Sequence, residues 1–137
     1  MEWKQEEYLI TDDSSKIEIE KVYKLLNNTY WGVRRPLDVV TKMIEHSLCF
    51  SIFHNSKLIG FGRVVTDYTV FSWVADIVIE PEYRKQGLGK WFMSCIKEHP
   101  LLRTTQMVLQ TRDAHEYYKK YGFTKNEALM STAVDGL

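Results

Sequence analysis

The stretch that decides the fold runs Arg84-Lys85-Gln86-Gly87-Leu88-Gly89-Lys90, between an apolar run that ends at Ile79 and an apolar stripe of helical spacing that ends at Ile96. Backbone N–H groups at the start of a helix are unpaired and carry the positive end of the helix dipole, so they attract anions. Glycine lets a ligand approach the backbone closely and permits a positive φ. Three cations flank the glycines: Arg84, Lys85 and Lys90. We therefore expect a loop that binds a pyrophosphate.

Two other phosphate-binding motifs do not fit this stretch. The dinucleotide fingerprint needs a third glycine, and Phe92 occupies that position. The P-loop needs four residues between its glycines and a Ser or Thr after the lysine, whereas one residue separates Gly87 from Gly89 and Trp91 follows the lysine. A tight turn with a solvated basic rim is the structural alternative, and the three flanking cations argue against it.

Periodicity and turn residues predict the elements around the loop. The predicted strands cover residues 8–11, 48–54, 58–65, 70–79 and 105–110, and the predicted helices cover 15–28, 36–46, 88–99 and 113–121. Strand 70–79 is apolar almost throughout, which favours a central strand buried on both faces. We expect Ser15 and Glu18 to form a capping box and Asp113 to cap the last helix. Residues 123–134 have room for one more pair of strands.

The composition limits the class of protein. A chain of 137 residues fits a single domain over residues 1–137, and its 18 basic and 18 acidic residues leave no overall charge that would favour nucleic acid or an anionic membrane. No apolar segment is long enough to span a membrane and no signal peptide precedes the domain, so we expect a cytoplasmic protein. Cys49 and Cys95 lie in apolar runs typical of free buried thiols, and the histidines lack metal-ligand spacing, so no metal is expected.

Two motifs resemble the GNAT superfamily of N-acetyltransferases. Arg84, Gly87 and Gly89 match its signature of Arg or Gln, two residues, Gly, any residue, and Gly or Ala, while residues 114–123 are similar to its late helix, which ends in Gly-Phe. The string Thr111-Arg112-Asp113-Ala114-His115 is similar to an uncharacterised bacterial branch. The resemblance implies an α/β (α+β) fold with a mixed, mostly antiparallel central sheet, flanked by about four helices and splayed between the fourth and fifth predicted strands.

The resemblance also implies acetyl-CoA as the co-substrate, held by the glycine loop and along the edge of strand 70–79. The implied cofactor contacts are Ile77, Val78, Ile79, Arg84, Lys85, Gln86, Gly87, Leu88, Gly89, Lys90, Asp113 and Tyr118. The pantetheine arm would pair with the backbone of the strand, as a peptide does when it adds to a sheet edge. Family members often carry Asn near the start of the late helix, where this chain has Asp113.

Transfer of an acetyl group to an amine needs a base for the amine, stabilisation of the carbonyl oxygen and a proton for the leaving thiolate. Tyr118 stands where the family presents a tyrosine to the sulfur, so it is the predicted general acid, with core packing as the alternative. Asp76 and Glu80 are alternative bases acting through water. A buried pair with Arg63 is the structural alternative for Asp76. We expect direct attack in a ternary complex, with a backbone N–H near Ile79 facing the carbonyl oxygen.

The acceptor is expected to meet a cluster of aromatic and charged residues. The predicted substrate-binding residues are Tyr30, Trp31, Arg35, Arg63, Asp67 and Asp76. Such a mixture suits a small molecule with a primary amine and a carboxylate or phosphate. Two other functions stay open: a non-catalytic acyl-CoA sensor or interaction module, and a protein lysine acetyltransferase. Exposed sheet edges also suggest a homodimer.

Overall fold

The computed structural model describes residues 1–132. In this range the chain forms six strands and four α-helices, with short 3₁₀ turns at Ser14–Lys16 and Pro81–Tyr83. The strands are β1 (Glu2–Gln5), β2 (Tyr8–Thr11), β3 (Leu48–His54), β4 (Lys57–Thr66), β5 (Phe71–Ile79) and β6 (Gln106–Leu109). The helices are α1 (Ile19–Asn27), α2 (Leu37–Glu45), α3 (Leu88–Glu98) and α4 (His115–Lys119). Strand β1, which pairs with β2 at the edge of the sheet, was not predicted.

The six strands form one sheet in the order β1-β2-β3-β4-β5-β6. Neighbouring strands are antiparallel from β1 to β5, and only β5 and β6 are parallel. A parallel pair needs a crossover connection, and α3 provides it between β5 and β6. The mixed, mostly antiparallel sheet with flanking helices is therefore confirmed.

Two apolar cores lie on the two faces of this sheet. Helix α3 contributes Phe92, Met93 and Ile96 to one core, where they pack against β-strand residues such as Phe50. Helices α1 and α2 contribute to a second core, which includes Phe61 of β4 and Val78 of β5. Each helix shows its apolar stripe to the sheet, so the sheet is the middle layer of three.

Strand β5 differs from its prediction in position and in burial. It is the fifth strand of six, next to the edge strand β6, so it is not central. Only alternate positions are buried, namely Ser72, Val74, Asp76 and Val78. The residues between them are only partly buried, because the neighbouring strand β6 is short. The apolar composition of β5 misled the prediction, since Ile77 and Ile79 lie at the margin of a core and are only partly buried.

A β-bulge interrupts the pairing of β4 with β5. Phe61 pairs with Val78 and Arg63 pairs with Ala75, so Gly62 alone faces the two residues between them. One of those two, Asp76, has a left-handed backbone with φ of 55°. Asp is among the few non-glycine residues that tolerate this conformation. The bulge reverses the alternation of side chains.

Strands β5 and β6 diverge after a short paired segment. The parallel pairing covers Phe71–Val74 of β5, and the remainder of β5 continues without a partner on β6. This is the splay that the family resemblance implied between the fourth and fifth predicted strands. It leaves one edge of the last five residues of β5, residues 75–79, without strand partners among residues 1–132.

Three local predictions were wrong. Ser15 and Glu18 form no capping box, because Asp13 caps the 3₁₀ turn that precedes α1 and Glu18 is an N-cap without a side-chain hydrogen bond. Asp113 does not cap α4, whose N-terminal turn is instead held by the Thr111 hydroxyl, which accepts a hydrogen bond from the Ala114 N–H at 3.0 Å. No strand forms over residues 123–132, and residues 133 and 134 lie outside the described range.

Candidate active site

The glycine loop has the backbone geometry of an anion cradle. Gly87 is the N-cap of α3 with φ of 85°, and Lys85 is also left-handed with φ of 63°. A Cβ added to Gly87 would meet nothing within 4 Å, so the backbone angle, and not a lack of space, requires glycine there. The first N–H groups of α3 have no intrahelical acceptor, and three exposed cations, Arg84, Lys85 and Lys90, belong to the same short segment.

Arg84 also ties this loop to the end of β5. Its Nε donates a hydrogen bond to the carbonyl oxygen of Ile79 at 2.9 Å. Gln86 holds the same turn from the other side, because its amide donates to the carbonyl oxygen of Glu82 at 3.2 Å. The loop and the open edge of β5 are thus held in a fixed relation to each other.

Gly89 is close to a side chain that the sequence analysis did not assign. A Cβ at Gly89 would overlap the hydroxyl of Tyr117, which lies against the first turn of α3. An alanine at this position, which the family motif permits, would therefore require the Tyr117 hydroxyl to shift. The available signal was Tyr117 itself, which lies within the late-helix motif of residues 114–123.

The open edge of β5 presents backbone groups of alternate residues. The N–H of Glu80 donates to the carbonyl oxygen of Ile59 on β4 at 2.8 Å, so Glu80 and Val78 direct their backbone groups toward β4. Because successive residues of a strand alternate, the backbone groups of Ile77 and Ile79 are directed away from β4, into the gap left by β6. Their side chains border the core beneath α3.

Tyr118 borders the same core from α4. Its ring makes edge contacts with Tyr117 and Phe123, with centroid distances of 5.1 and 6.0 Å. Burial raises the pKa of Tyr118 to about 12, with smaller contributions from Tyr121 and Tyr30. The hydroxyl is therefore protonated throughout the neutral range. Tyr118 also lines a cavity of about 1000 Å³ between β6, α4 and the segment after α4.

Asp76 is held between two arginines on the other face of the sheet. Arg35 Nη1 donates to Asp76 Oδ1 at 2.7 Å, and Arg63 Nε donates to Oδ2 at 2.7 Å. The Asp76 side chain is only 1% exposed, and the arginine side chains are 16% and 15% exposed. We call these three residues the arginine clamp. The pair with Arg63 was the structural alternative considered for Asp76, and Arg35 joins it.

The loop between α1 and α2 is fixed by its own hydrogen bonds. The Thr29 hydroxyl donates to the carbonyl oxygen of Leu26 at 2.6 Å and accepts from the Gly32 N–H at 3.0 Å. The N–H of Arg35 in turn donates to the carbonyl oxygen of Gly32 at 3.1 Å. These bonds define the position from which Arg35 reaches the bulge of β5.

The same loop contacts the connection between β6 and α4. The guanidinium of Arg112 lies over the ring of Tyr30 at 3.8 Å from its centroid, and Tyr30 makes an edge contact with Trp31 at 5.0 Å. Arg112 was not among the predicted site residues, and nothing in its local sequence signals a partner so distant in the chain. Together these contacts connect the two sides of the gap between β5 and β6.

The remaining predicted residues lie apart from the clamp. Asp67 is at the turn before β5, where its carboxylate accepts from the N–H groups of Thr69, Val70 and Phe71, and these bonds, that of Phe71 first, lower its pKa. Asp113 is exposed. Glu80 is half-buried just beyond β5, and its side chain forms no ion pair within the described residues.

The described part of the chain also bears on metals and membranes. Over residues 1–132, no group of three or more His, Cys, Asp or Glu side chains is arranged to hold a metal ion. Within the same residues, none of the helices has the length and apolar character that crossing a bilayer requires.

A splayed mixed sheet with a glycine loop at the start of the crossover helix defines the N-acetyltransferase class of folds. The acetyltransferase (GNAT) domain family matches residues 45–125. A GNAT-family protein from Xanthomonas campestris pv. campestris superposes with a TM-score of 0.89 and 35% identity over 95% of both chains. The chain belongs to the GNAT acetyltransferase family.

Two further similarities extend this result. The uncharacterized N-acetyltransferase ycf52 of Gracilaria tenuistipitata var. liui is 32% identical over 117 residues, which cover 80% of this chain and 64% of the relative. A predicted acetyltransferase from Clostridium acetobutylicum, whose structure contains acetyl-CoA, shares the fold with a TM-score of 0.68 and 14% identity, over 92% of this chain and 94% of that chain.

Proposed function

We propose that the protein transfers the acetyl group of acetyl-CoA to a primary amine of a small molecule, by direct attack in a ternary complex. The observation that carries the proposal is the position of the glycine loop at the end of the open edge of β5. A ligand that fits both must combine a pyrophosphate with an amide-containing arm, since N–H groups and cations favour the first and an unpaired strand edge favours the second. CoA has both parts.

Residues of the chain are suited to stabilise the carbonyl oxygen and to protonate the leaving sulfur. The amine nitrogen attacks the thioester carbonyl carbon, the C–N bond forms and the C–S bond breaks. Negative charge that develops on the carbonyl oxygen is stabilised by the N–H of Ile79 or Ile77, both of which point into the gap. Tyr118 donates a proton to the departing sulfur and regains, through solvent, the proton that the attacking nitrogen loses as the amide forms. Its hydroxyl is protonated at neutral pH.

Glu80 is the better candidate for the base. Both oxygens of Asp76 accept hydrogen bonds from arginines, and its side chain is almost inaccessible, which leaves it poorly placed to take a proton. Glu80 lies beyond the open edge of β5 and is half-buried, so a water between it and the substrate ammonium can carry the proton away. We therefore assign Asp76 to positioning the loop of Arg35 and Glu80 to proton removal.

A paired experiment tests the proposal and separates an enzyme from a sensor. Calorimetric titration with CoA should show binding, and acetyl-CoA turnover over a panel of amines should be lowered by Tyr118→Phe about 100-fold in kcat. Tyr121→Phe is the matched control, because it removes a neighbouring phenol of the same segment. Binding without turnover on any amine would favour the sensor, and absence of CoA binding would refute both functions. Preference for lysine peptides would favour a protein acetyltransferase.

A further inference from the structure

The arginine clamp has an unbalanced charge. Two guanidiniums, those of Arg35 and Arg63, surround one carboxylate, that of Asp76, so two positive charges and one negative charge leave a net charge of +1. The remaining contact of the clamp is neutral, because Arg63 Nη1 donates to the hydroxyl of Ser47 at 3.3 Å. Within residues 1–132 no second carboxylate forms an ion pair with either guanidinium.

This excess charge is poorly exposed to water. The arginine side chains retain 16% and 15% of their exposure, while Asp76 retains 1%. A charge removed from water is costly unless an opposite charge and hydrogen bonds compensate it. Asp67, the other acid predicted for this site, does not compensate it, because its carboxylate is taken by three backbone N–H groups at the distant turn. The clamp therefore favours an additional anion.

The loop between α1 and α2 holds a further hydrogen-bond donor, the indole of Trp31. The indole N–H of Trp31 is buried, and no hydrogen-bond partner for it is found among the described residues. Trp31 and Arg35 belong to one loop, whose shape is set by the hydrogen bonds of Thr29 and Gly32. Donors held in a rigid loop are suited to an oxyanion, since they need no reorganisation when it binds.

We infer that the acceptor carries a carboxylate in addition to its amine, and that the arginine clamp binds this carboxylate. The inference rests on the proposed acetyl transfer and names the substrate class for it. A carboxylate is favoured over a phosphate monoester because one negative charge balances the clamp, whereas a phosphate monoester carries between one and a half and two. The planar guanidinium also matches the two oxygens of a carboxylate. The acceptors are therefore amino-acid-like metabolites.

The test compares acids with their uncharged amides. The panel contains free L-amino acids, β-alanine and 4-aminobutyrate, each with its carboxamide, together with O-phosphoethanolamine as the phosphate probe. We expect kcat/KM to favour at least one acid over its amide by about 10- to 100-fold, the usual value of a hydrogen bond to a charged group. Arg35→Gln should remove this preference, and Arg34→Gln, a change at the exposed neighbour, should preserve it.

Two measurements separate recognition from a purely structural role of the clamp. In Arg35→Gln the KM for acetyl-CoA should be unchanged while the KM for the acid rises, whereas a structural defect would impair acid and amide alike. Arg35→Lys keeps the positive charge but lacks the planar guanidinium, so it should lose part of the preference for acids over amides. This variant tests the inference if Arg35→Gln folds poorly.

Each remaining outcome is decisive. Equal turnover of acids and amides would overturn the inference and leave the proposed acetyl transfer intact, and a preference for O-phosphoethanolamine would overturn the choice of carboxylate. Calorimetry with the same acids and the CoA-bound protein does not depend on turnover. If no acid binds there, the inference is refuted; if acids bind but none is acetylated, the proposed function fails and the anion site stands.

Discussion

Replacing Asp76 with Asn tests the arginine clamp through stability. Asn is nearly isosteric and, like Asp, tolerates the left-handed backbone at φ of 55°, so the change removes the charge and leaves the bulge intact. Breaking a fully buried ion pair costs roughly 3 to 5 kcal/mol. Because the two arginines retain about 15% of their exposure, we expect about 2 to 4 kcal/mol.

The assay is thermal and urea unfolding of the unliganded protein. For a chain of this length, each kcal/mol lowers the Tm by about 3 to 5 °C, so Asp76→Asn should lower it by about 6 to 20 °C. Asp76→Ala should cost roughly a further 1 to 2 kcal/mol, because alanine does not share the left-handed tolerance of Asn. Arg63→Met should cost less in the Asp76→Asn background than in the wild type, since the carboxylate that pairs with Arg63 is already absent there.

A fall in Tm of less than about 3 °C for Asp76→Asn would refute the reasoning. It would mean that the carboxylate is either solvated or replaceable, and that the clamp does not hold the loop between α1 and α2 against the bulge. Additive effects of Arg63→Met and Asp76→Asn would contradict the same point, because residues in one ion-pair network should be coupled.

The glycines and Tyr118 give three further predictions. Gly89→Ala should destabilise the protein by about 1 to 3 kcal/mol in urea unfolding, because the methyl overlaps the Tyr117 hydroxyl. In a Tyr117→Phe background the nearest ring atom is 3.7 Å away, so the same change should be neutral or stabilise by up to about 1 kcal/mol. Gly62→Ala should cost about 1 to 3 kcal/mol, since its Cβ would lie 2.7 Å from Ile77 Cδ1 inside the core. Finally, kcat should show no loss from Tyr118 ionisation between pH 9 and about 10.5, because a donor must be protonated and burial moves its pKa from 10.0 to about 12.

These predictions have distinct failures. If Gly89→Ala is equally destabilising in the wild-type and the Tyr117→Phe backgrounds, overlap with the Tyr117 hydroxyl is excluded as the cause of the destabilisation. If Gly62→Ala is as stable as the wild type, the core around the bulge accommodates the added methyl group and the predicted overlap is wrong. A fall of kcat centred near pH 10, absent in Tyr118→Phe, would place that pKa at its ordinary value and contradict the effect of burial.

Most strands and helices could be predicted from the sequence, because neighbouring residues determine where they begin and end. Strand β3 was predicted over its observed bounds, and α1, α2, α3 and β4 were predicted to within a few residues, because turn residues and apolar periodicity delimit them. The glycine loop was also recognisable, since backbone angle, helix start and flanking charge all lie within residues 84–90. Strand β1 was missed because four mostly exposed residues carry no alternating pattern.

The candidate site depends on contacts that no local pattern encodes. Arg35 and Asp76 are 41 positions apart in the chain, and they meet only because the bulge turns Asp76 toward the helices α1 and α2. Alternation along an unbroken strand gave Asp76 and Glu80 the same role, whereas the bulge places Asp76 within the clamp. The stacking of Arg112 on Tyr30 likewise joins segments that are remote in sequence.

Because β5 and β6 diverge, the free energy of unfolding of this protein should depend on whether a ligand occupies the gap between them. Backbone groups on the β6 side of β5, such as those of Ile77, have no strand partner among residues 1–132, so a molecule in the gap can add hydrogen bonds that the sheet itself lacks. A ligand present at 100 times its Kd would add about 2.7 kcal/mol to the free energy of unfolding. If acetyl-CoA is that ligand, as proposed, resistance to heat and proteolysis should follow the supply of acetyl-CoA.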